Sequence, residues 1–242
     1  KLIEIVEVLR GPNGCPWDRE QTYESLLPYF LEEVYEVIES VEEKEWTNFK
    51  EELGDVMLHI VLQAQIANED NIFSILDTLN NINNKLINRH PHVFGDKEVD
   101  AFYDAKKNWE SIKHKEKKRE SRLDGVPPSL PALTRAYRLQ QKASYVGFDW
   151  KNISDVWDKL NEEIDELKNA IELKDDNNIE EEMGDILFTF VNLARHLNLH
   201  SEDMLRKTNK KFIKRFKQIE KTLKAKGKTV ENSSLDEMNE IW

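Results

Sequence analysis

The sequence predicts an all-α protein made of two tandem helical units. Glycine (8 residues) and proline (7) are scarce among the 242 residues. Long stretches mix Glu, Lys, Leu and Ile without the alternating β-branched runs, bounded by turns, that are typical of strands. One pattern of acidic and apolar residues also occurs once in each half of the chain, which indicates a duplicated unit.

Breaks in helical periodicity divide the chain into these units. A turn-rich segment at 11–18 precedes the first, and RHPHVFG at 89–95 interrupts it. Residues 124–131 contain three prolines, which cannot continue a helix interior. We therefore predict an N-terminal helical domain at 1–120, a proline-containing linker at 121–131 and a C-terminal helical domain at 132–242. The last begins with a helix at about 132–145.

Charge and cysteine content narrow the class of protein. Acidic residues outnumber basic ones by 47 to 35, for a net charge of −12, which disfavours a nucleic acid as partner. Cys15 is the only cysteine, so no intrachain disulfide forms and a reducing, cytoplasmic location is expected. No apolar run approaches the ~20 residues that span a bilayer, and no signal-like segment is found, so we expect no membrane association.

The repeated pattern contains two pairs of acids at identical spacing. The first half reads LEEVYEVIES and then FKEELGDVMLHI, and the second reads NEEIDELKNA and then IEEEMGDILFTF. Residues three apart are neighbours on a helix surface, so each helix presents a pair of carboxylates. The eight acids are Glu33, Glu36, Glu52 and Asp55 in the first half and Glu163, Glu166, Glu182 and Asp185 in the second.

In both halves these acids border an apolar stripe, and a short polar turn joins the two helices. Helices joined in this way pack antiparallel as an αα-hairpin, in which residues at equal height have a constant index sum. The midpoint between Glu33 and Asp55 and the midpoint between Glu36 and Glu52 both fall at position 44. The corresponding pairs of the second half have their midpoint at position 174. Four carboxylates thus converge at one level, where their mutual repulsion requires a cation.

A set of carboxylates alone suits a hard ion, Mg²⁺ first and Mn²⁺ as a substitute. A single acidic pair on a helix is usually a solvated face. Two sets at the same spacing, both bordering the apolar stripe, favour a metal site instead. Mg²⁺ held by carboxylates meets its substrate through phosphate oxygens, so a phosphoanhydride is the natural substrate.

A Lys-x₃-Arg pair follows each acidic pattern. Lys211 and Arg215 lie four apart on one helix face and are candidates to hold phosphates and stabilise a pyrophosphate leaving group. Lys85 and Arg89 are their counterparts in the first half. An exposed basic face explains both pairs equally well at this point. The chain has no Walker A sequence, Rossmann fingerprint or nucleophile elbow.

The repeated acidic patterns and several further segments of the chain together resemble the MazG family of nucleoside triphosphate pyrophosphohydrolases over essentially the full length of the chain. The resemblance implies an all-α, Mg²⁺-dependent enzyme that hydrolyses NTPs or dNTPs to the monophosphate and pyrophosphate, in nucleotide-pool housekeeping. It also implies a homo-oligomer, most simply a dimer, in which helices from different chains complete the bundles. The matching segments are GCPWD (14–18), LEEVYEV (31–37), ELGD (52–55), RHPHVFG (89–95), SLPAL (129–133), VGFDW (146–150), EEIDE (162–166), EEEMGD (180–185) and NLARHL (192–197).

The resemblance also assigns roles to individual residues. The family's metal ligands fall on all eight acids, its phosphate contacts on Lys211 and Arg215, and its C-terminal aromatic substrate contact on Trp242. Lys85 and Arg89 would bind substrate in the first half, and Glu162 or Glu163 would serve as general base. Because basic residues are denser around 210–215, we expect the second half to be the more active.

Two alternatives remain open. The chain is a more selective nucleotide pyrophosphatase, acting on dUTP, dCTP or a phosphoribosyl intermediate, or it is a non-enzymatic helical module whose acidic stripes bind a protein. A substrate panel separates the first from a broad NTPase, and the second predicts that no NTP yields pyrophosphate.

Overall fold

The computed structural model describes residues 1–95, 109–114, 116–117 and 119–242 and divides into two compact units, Lys1–Lys113 and His114–Trp242. All regular secondary structure in these ranges is helical, which confirms the predicted all-α fold. Residues 121–131 form turns rather than a helix. The predicted domain limits at 120 and 132, and the role of 121–131 as a linker, stay predictions.

The first unit is organised around one long helical hairpin. Its helices are α1 (Leu2–Arg10), α2 (Pro16–Glu20), α3 (Tyr23–Glu43), α4 (Trp46–Glu69), α5 (Ile75–Arg89) and α6 (Pro91–Phe94). A capping box starts α3, in which the Thr22 side chain accepts from the Ser25 amide. Lys44 ends α3 in the left-handed region at φ 60°, so the chain reverses and α4 packs back along α3.

The core of the first unit lies at the end of the hairpin away from its turn. Val6 of α1, Leu26 of α3 and Leu62 of α4 are almost fully buried there. The Arg10 guanidinium donates to both carboxylate oxygens of Glu69 at 2.7–3.1 Å, which fixes α1 to the end of α4. Nearer the turn, apolar side chains such as Met57 are exposed, so the part of the hairpin that carries the acids is the less covered part.

The second unit repeats the hairpin. Its elements are α7 (Ala132–Ser144), α8 (Ile153–Leu173), α9 (Asp176–His196), α10 (Ser201–Ala225), a 3₁₀ turn (Val230–Asn232) and α11 (Leu235–Ile241). Lys174 ends α8 at φ 54°, in the same conformation as Lys44. Both predicted reversals, at positions 44 and 174, are therefore confirmed, as is the predicted helix that begins at Ala132.

Two features hold the second hairpin together. Val156, Leu160 and Leu193 form its buried core, and α7 packs against α9. Asp149, just before α8, pairs with Arg195 and lies 3.3 Å from His196 Nε2 near the end of α9. As in the first unit, the core is distant from the turn, and the acids lie between them. Among the described helices, none has both the length and the apolar character needed to cross a membrane.

Candidate metal centres

Three carboxylates of the first hairpin meet at one level. Ligand oxygens of Glu33 and Glu36 from α3 and of Glu52 from α4 all lie within 4.8 Å of one another. Burial raises the pKa of Glu33, and the neighbouring Glu36, Asp55 and Glu52 raise it further. The pKa of Glu52 is raised in the same direction, by burial first and then by Glu36. Like charges held this close favour protonation or a bound cation.

The second hairpin has the same arrangement. Oxygens of Glu163 and Glu166 from α8 and of Glu182 from α9 lie within 4.8 Å of one another. Burial raises the pKa of both Glu166 and Glu182, with further increases from Glu163. The predicted fourth acids, Asp55 and Asp185, lie outside these groups of three, although Asp185 still raises the pKa of Glu182. The ligand assignments stay predictions, and the donor set fits a hard divalent cation.

A lysine distinguishes the second centre from the first. Lys159 Nζ lies 2.8 Å from Glu163 Oε1 and 2.9 Å from Glu162 Oε1. Because these hydrogen bonds stabilise its charged form, the pKa of Lys159 is raised well above its usual value. Glu163 is only 4% exposed, so Lys159 partly neutralises a buried carboxylate. In the first half Tyr29 holds the equivalent position.

A histidine distinguishes the first centre from the second. His59, one turn after Asp55 on α4, is 7% exposed, and its Nε2 lies 3.9 Å from Glu33 Oε1. Burial lowers its pKa. Thr189 holds the equivalent position in the second half. Neither His59 nor Lys159 was predicted, although the spacing Asp55-x₃-His59 in the sequence was a usable signal.

The predicted basic residues lie on the helix that follows the hairpin in each unit, α5 in the first and α10 in the second. Lys211 and Arg215 of α10 are exposed, and the Arg215 guanidinium lies 5.2 Å from the centre of the Trp242 ring. The structure records no hydrogen bond or ion pair from Lys211 or Arg215 to the carboxylates of their own described unit. Their roles therefore stay predictions, as does that of Trp242 in substrate binding.

The first unit contains a similar cation–π pair. Arg89 is buried, and its guanidinium lies 5.2 Å from the centre of the Trp109 ring. Lys85 is half-buried on the same helix. Trp109 was not predicted as the counterpart of Trp242, because the two tryptophans lie at different distances along the sequence from the repeated basic residues.

The second unit also contains an apolar cavity of about 600 Å³. Phe148, Trp150 and Phe188 contribute aromatic rings to its wall, and Gln140 and Asn192 contribute amides. Gln140 Nε2 donates to the Phe188 carbonyl at 2.8 Å, while its buried Oε1 has no partner among the described residues. The sequence did not reveal this cavity.

The cavity and the second carboxylate group share helix α9. Phe188 and Asn192 follow Asp185 by one and two turns, so they lie roughly 5–10 Å farther along the helix axis at 1.5 Å per residue. The volume is within the usual range for small-molecule sites. A ligand held in the cavity can therefore extend toward the carboxylates.

The fold and these sites define an all-helical protein with a candidate divalent-metal centre in each of two similar hairpins. The family model of the MazG nucleotide pyrophosphohydrolase domain matches the chain twice, at residues 21–94 and 152–219. Each match contains one hairpin and its carboxylate group. The chain belongs to the MazG family of nucleotide pyrophosphohydrolases, which confirms the predicted family, the enzyme class and the tandem arrangement.

Two of the relatives match over nearly their whole length and a third over about half of it. A Thermotoga maritima protein named nucleoside triphosphate pyrophosphohydrolase/pyrophosphatase MazG is 48% identical, across the whole chain and 93% of the relative. The nucleoside triphosphate pyrophosphohydrolase of Escherichia coli K12 is 42% identical, across the whole chain and 94% of the relative. Bacillus subtilis YabN is 45% identical over 98% of this chain, which covers 49% of YabN.

Proposed function

We propose that this chain hydrolyses nucleoside triphosphates, ribo- or deoxyribo-, to the monophosphate and pyrophosphate with Mg²⁺, chiefly in its second half. The observation that carries the proposal is the carboxylate group of Glu163, Glu166 and Glu182 on a hairpin whose helix α9 also lines a cavity large enough for a nucleoside. The names of the Thermotoga maritima and Escherichia coli relatives support a triphosphate substrate. Mn²⁺ is expected to replace Mg²⁺.

The cavity supplies a site for the base and ribose. The aromatic faces of Trp150 and Phe188 can stack with any of the nucleobases. The side-chain amide of Asn192, which also lines the cavity, can hydrogen-bond an exocyclic amine or ring N–H of the base. Few polar groups face the cavity, so we propose broad base selectivity rather than restriction to dUTP or dCTP.

Glu163, Glu166 and Glu182 would hold the Mg²⁺, which when bound would supply charge neutralisation at the phosphates and activation of a water for attack at the α-phosphorus. Glu162, whose side chain is 56% exposed beside the group, accepts the proton of that water, with Glu163 as the alternative base. Lys211 and Arg215 stabilise the departing pyrophosphate, and Trp242 holds the Arg215 guanidinium in place.

Assembly into a homodimer is part of the proposal. Apolar side chains on the outer face of the second hairpin are unusually exposed, among them Met183, Leu187 and Phe190 at 47–53%. A Cβ added at Gly184 meets no atom of the same chain within 4 Å, so a helix from a second copy can approach this face closely. Dimerisation buries these side chains and brings a second set of basic residues within reach of the site.

The cellular role follows from the reaction. Hydrolysis of triphosphates to monophosphates removes unwanted nucleotides from the pool, and the single free cysteine fits a reducing cytoplasm. A non-enzymatic interaction module has no use for the cavity.

The test is pyrophosphate release from a panel of NTPs and dNTPs with titrated Mg²⁺. Glu163→Gln should lower kcat/KM by at least ~100-fold, as removal of one electrostatic catalytic group commonly does. Glu33→Gln should lower it less. Glu172→Gln, an exposed acid on the same helix as Glu163, serves as the matched control and should change little. Turnover that persists in the Glu163→Gln/Glu33→Gln double variant refutes the metal assignment, and no pyrophosphate from any substrate refutes the enzyme.

A further inference from the structure

The first centre contains a buried imidazole that no described hydrogen bond uses. His59 is 7% exposed, and its Nδ1 is buried without a partner among the described residues. Its Nε2 faces Glu33 Oε1 at 3.9 Å, too long for a hydrogen bond. Burying an imidazole without hydrogen-bond partners is costly. The ring is therefore placed to bind a ligand that the polypeptide itself does not supply.

The 3.9 Å separation fits two ligands of one metal ion. Imidazole nitrogen and carboxylate oxygen bind first-row ions at about 2.0–2.2 Å, so two ligands of one ion lie up to roughly 4.2 Å apart. Glu33 also belongs to the carboxylate group with Glu36 and Glu52, whose oxygens lie within 4.8 Å. One ion can therefore be shared by Glu33 and His59, with other members of the group completing its shell.

The second centre differs at both relevant positions. Thr189 stands at the position equivalent to His59. Lys159, which pairs with Glu163, stands at the position equivalent to Tyr29. The second centre therefore offers only oxygen ligands and already contains a cation near them. Oxygen-only shells suit Mg²⁺ and Mn²⁺, whereas imidazole suits transition ions such as Co²⁺ and Zn²⁺.

We infer that the two halves bind different metals, and that the first half is a transition-ion site in which His59 joins Glu33 as a ligand. This inference rests on the proposed metal-binding role of the first carboxylate group and does not require the first half to turn over nucleotides. Imidazole adds little for Mg²⁺ and much for a transition ion. The first half should therefore prefer a transition ion such as Co²⁺ to Mg²⁺, whereas the second half should not.

The experiment uses the full chain, stripped of metal and titrated separately with Co²⁺ and Mg²⁺ near pH 7.5 without nucleotide. His59→Gln should weaken Co²⁺ binding to the first half by at least ~tenfold and Mg²⁺ binding by less than ~threefold, because only Co²⁺ gains from the nitrogen. Glu33→Gln should also weaken Co²⁺ binding while leaving His59 in place. His92→Gln, the same substitution at a histidine outside the centre, is the matched control, and Glu163→Gln should leave the Co²⁺ site intact.

A spectroscopic signature separates coordination from a structural role. In the Co²⁺-loaded chain, an imidazole bound to the ion gives a strongly shifted, exchangeable N–H proton resonance. This resonance should be present in the wild type and in His92→Gln and absent in His59→Gln. The variants are compared only after their circular dichroism and thermal melts show the wild-type fold, and Glu33→Gln provides the test if His59→Gln does not fold.

Three results overturn the inference: equal loss of Co²⁺ and Mg²⁺ affinity in His59→Gln, unchanged Co²⁺ affinity in both variants, or a shifted resonance that survives His59→Gln. Because the titrations need neither nucleotide nor turnover, they remain readable if no pyrophosphate is released. Failure of the proposed function and failure of this inference are therefore distinguished.

Discussion

Lys159 gives the most direct stability test of the second centre. Its ammonium donates to Glu163 at 2.8 Å and to Glu162 at 2.9 Å, and the Glu163 side chain is 6% exposed. A hydrogen bond to a charged group contributes about 1.5–3 kcal/mol. Since the Lys159 side chain is 32% exposed, the lower end applies, and Lys159→Met should cost about 1.5 kcal/mol. For a unit of this size that corresponds to a Tm lower by roughly 5 °C.

The effect should depend on metal. In excess Mg²⁺ a bound cation neutralises Glu163 in place of the lysine, so the deficit of Lys159→Met should shrink to less than ~0.5 kcal/mol or change sign. The assay is calorimetric unfolding in EDTA and in excess Mg²⁺. Lys168→Met is the matched control, because Lys168 pairs with exposed Asp165 at 2.7 Å and should contribute less than ~1 kcal/mol in either buffer. A deficit of equal size with and without Mg²⁺ refutes the assignment of Glu163 as a ligand.

Four further predictions follow from the same structure. Burial and the neighbouring acids raise the pKa of Glu33 above 4.5, so the protonated side chain stabilises the fold at low pH and this contribution is lost as pH rises through the raised pKa. Glu33→Gln should therefore stabilise the metal-free protein at about pH 7.5 but not near pH 4.5, as measured by denaturant unfolding. Gly184→Ala should raise helix stability by up to about 1 kcal/mol while weakening the dimer in sedimentation. Phe188→Ala should raise KM for NTPs at least ~tenfold through lost base stacking. Asp149→Asn should lower the stability of the second unit by about 1–3 kcal/mol in calorimetry, since it breaks the pair with Arg195.

Each of these has a contrary result. An equal effect of Glu33→Gln at both pH values would show that ionisation of the buried Glu33 carboxyl is not the cause of the change in stability. An undisturbed dimer in Gly184→Ala removes this face from the interface. A change in kcat without a change in KM for Phe188→Ala would show that the cavity does not bind the substrate. An unchanged unfolding free energy for Asp149→Asn in calorimetry would show that its ion pair with Arg195 does not stabilise the unit.

The sequence was sufficient for features that depend on spacing along a helix. Equal index sums about positions 44 and 174 predicted the reversals, and the structure has Lys44 and Lys174 in the left-handed conformation there. The same sums predicted the level at which Glu36 and Glu52 meet. These features need only helical periodicity and a short turn, which are local properties of the chain.

Features that depend on packing between distant segments were not predicted. The cavity forms where residues after α7 meet α9, and no periodicity reports that meeting. The pairing of Arg89 with Trp109 joins two residues that are too far apart in the sequence for helical spacing to predict it. Lys159 and His59 were visible at helical spacing from Glu163 and Asp55, but only the structure shows that His59 is buried and that Lys159 pairs with the buried Glu163.

The central claim is that each hairpin holds a divalent cation between its two helices. Crystals soaked in Mn²⁺ and measured for anomalous scattering test it directly. We expect one peak within about 2.0–2.4 Å of carboxylate oxygens of Glu163, Glu166 and Glu182 and another near Glu33, Glu36 and Glu52. Crystals with full Mn²⁺ access that show no peak at either group, or peaks only elsewhere on the surface, would contradict the claim.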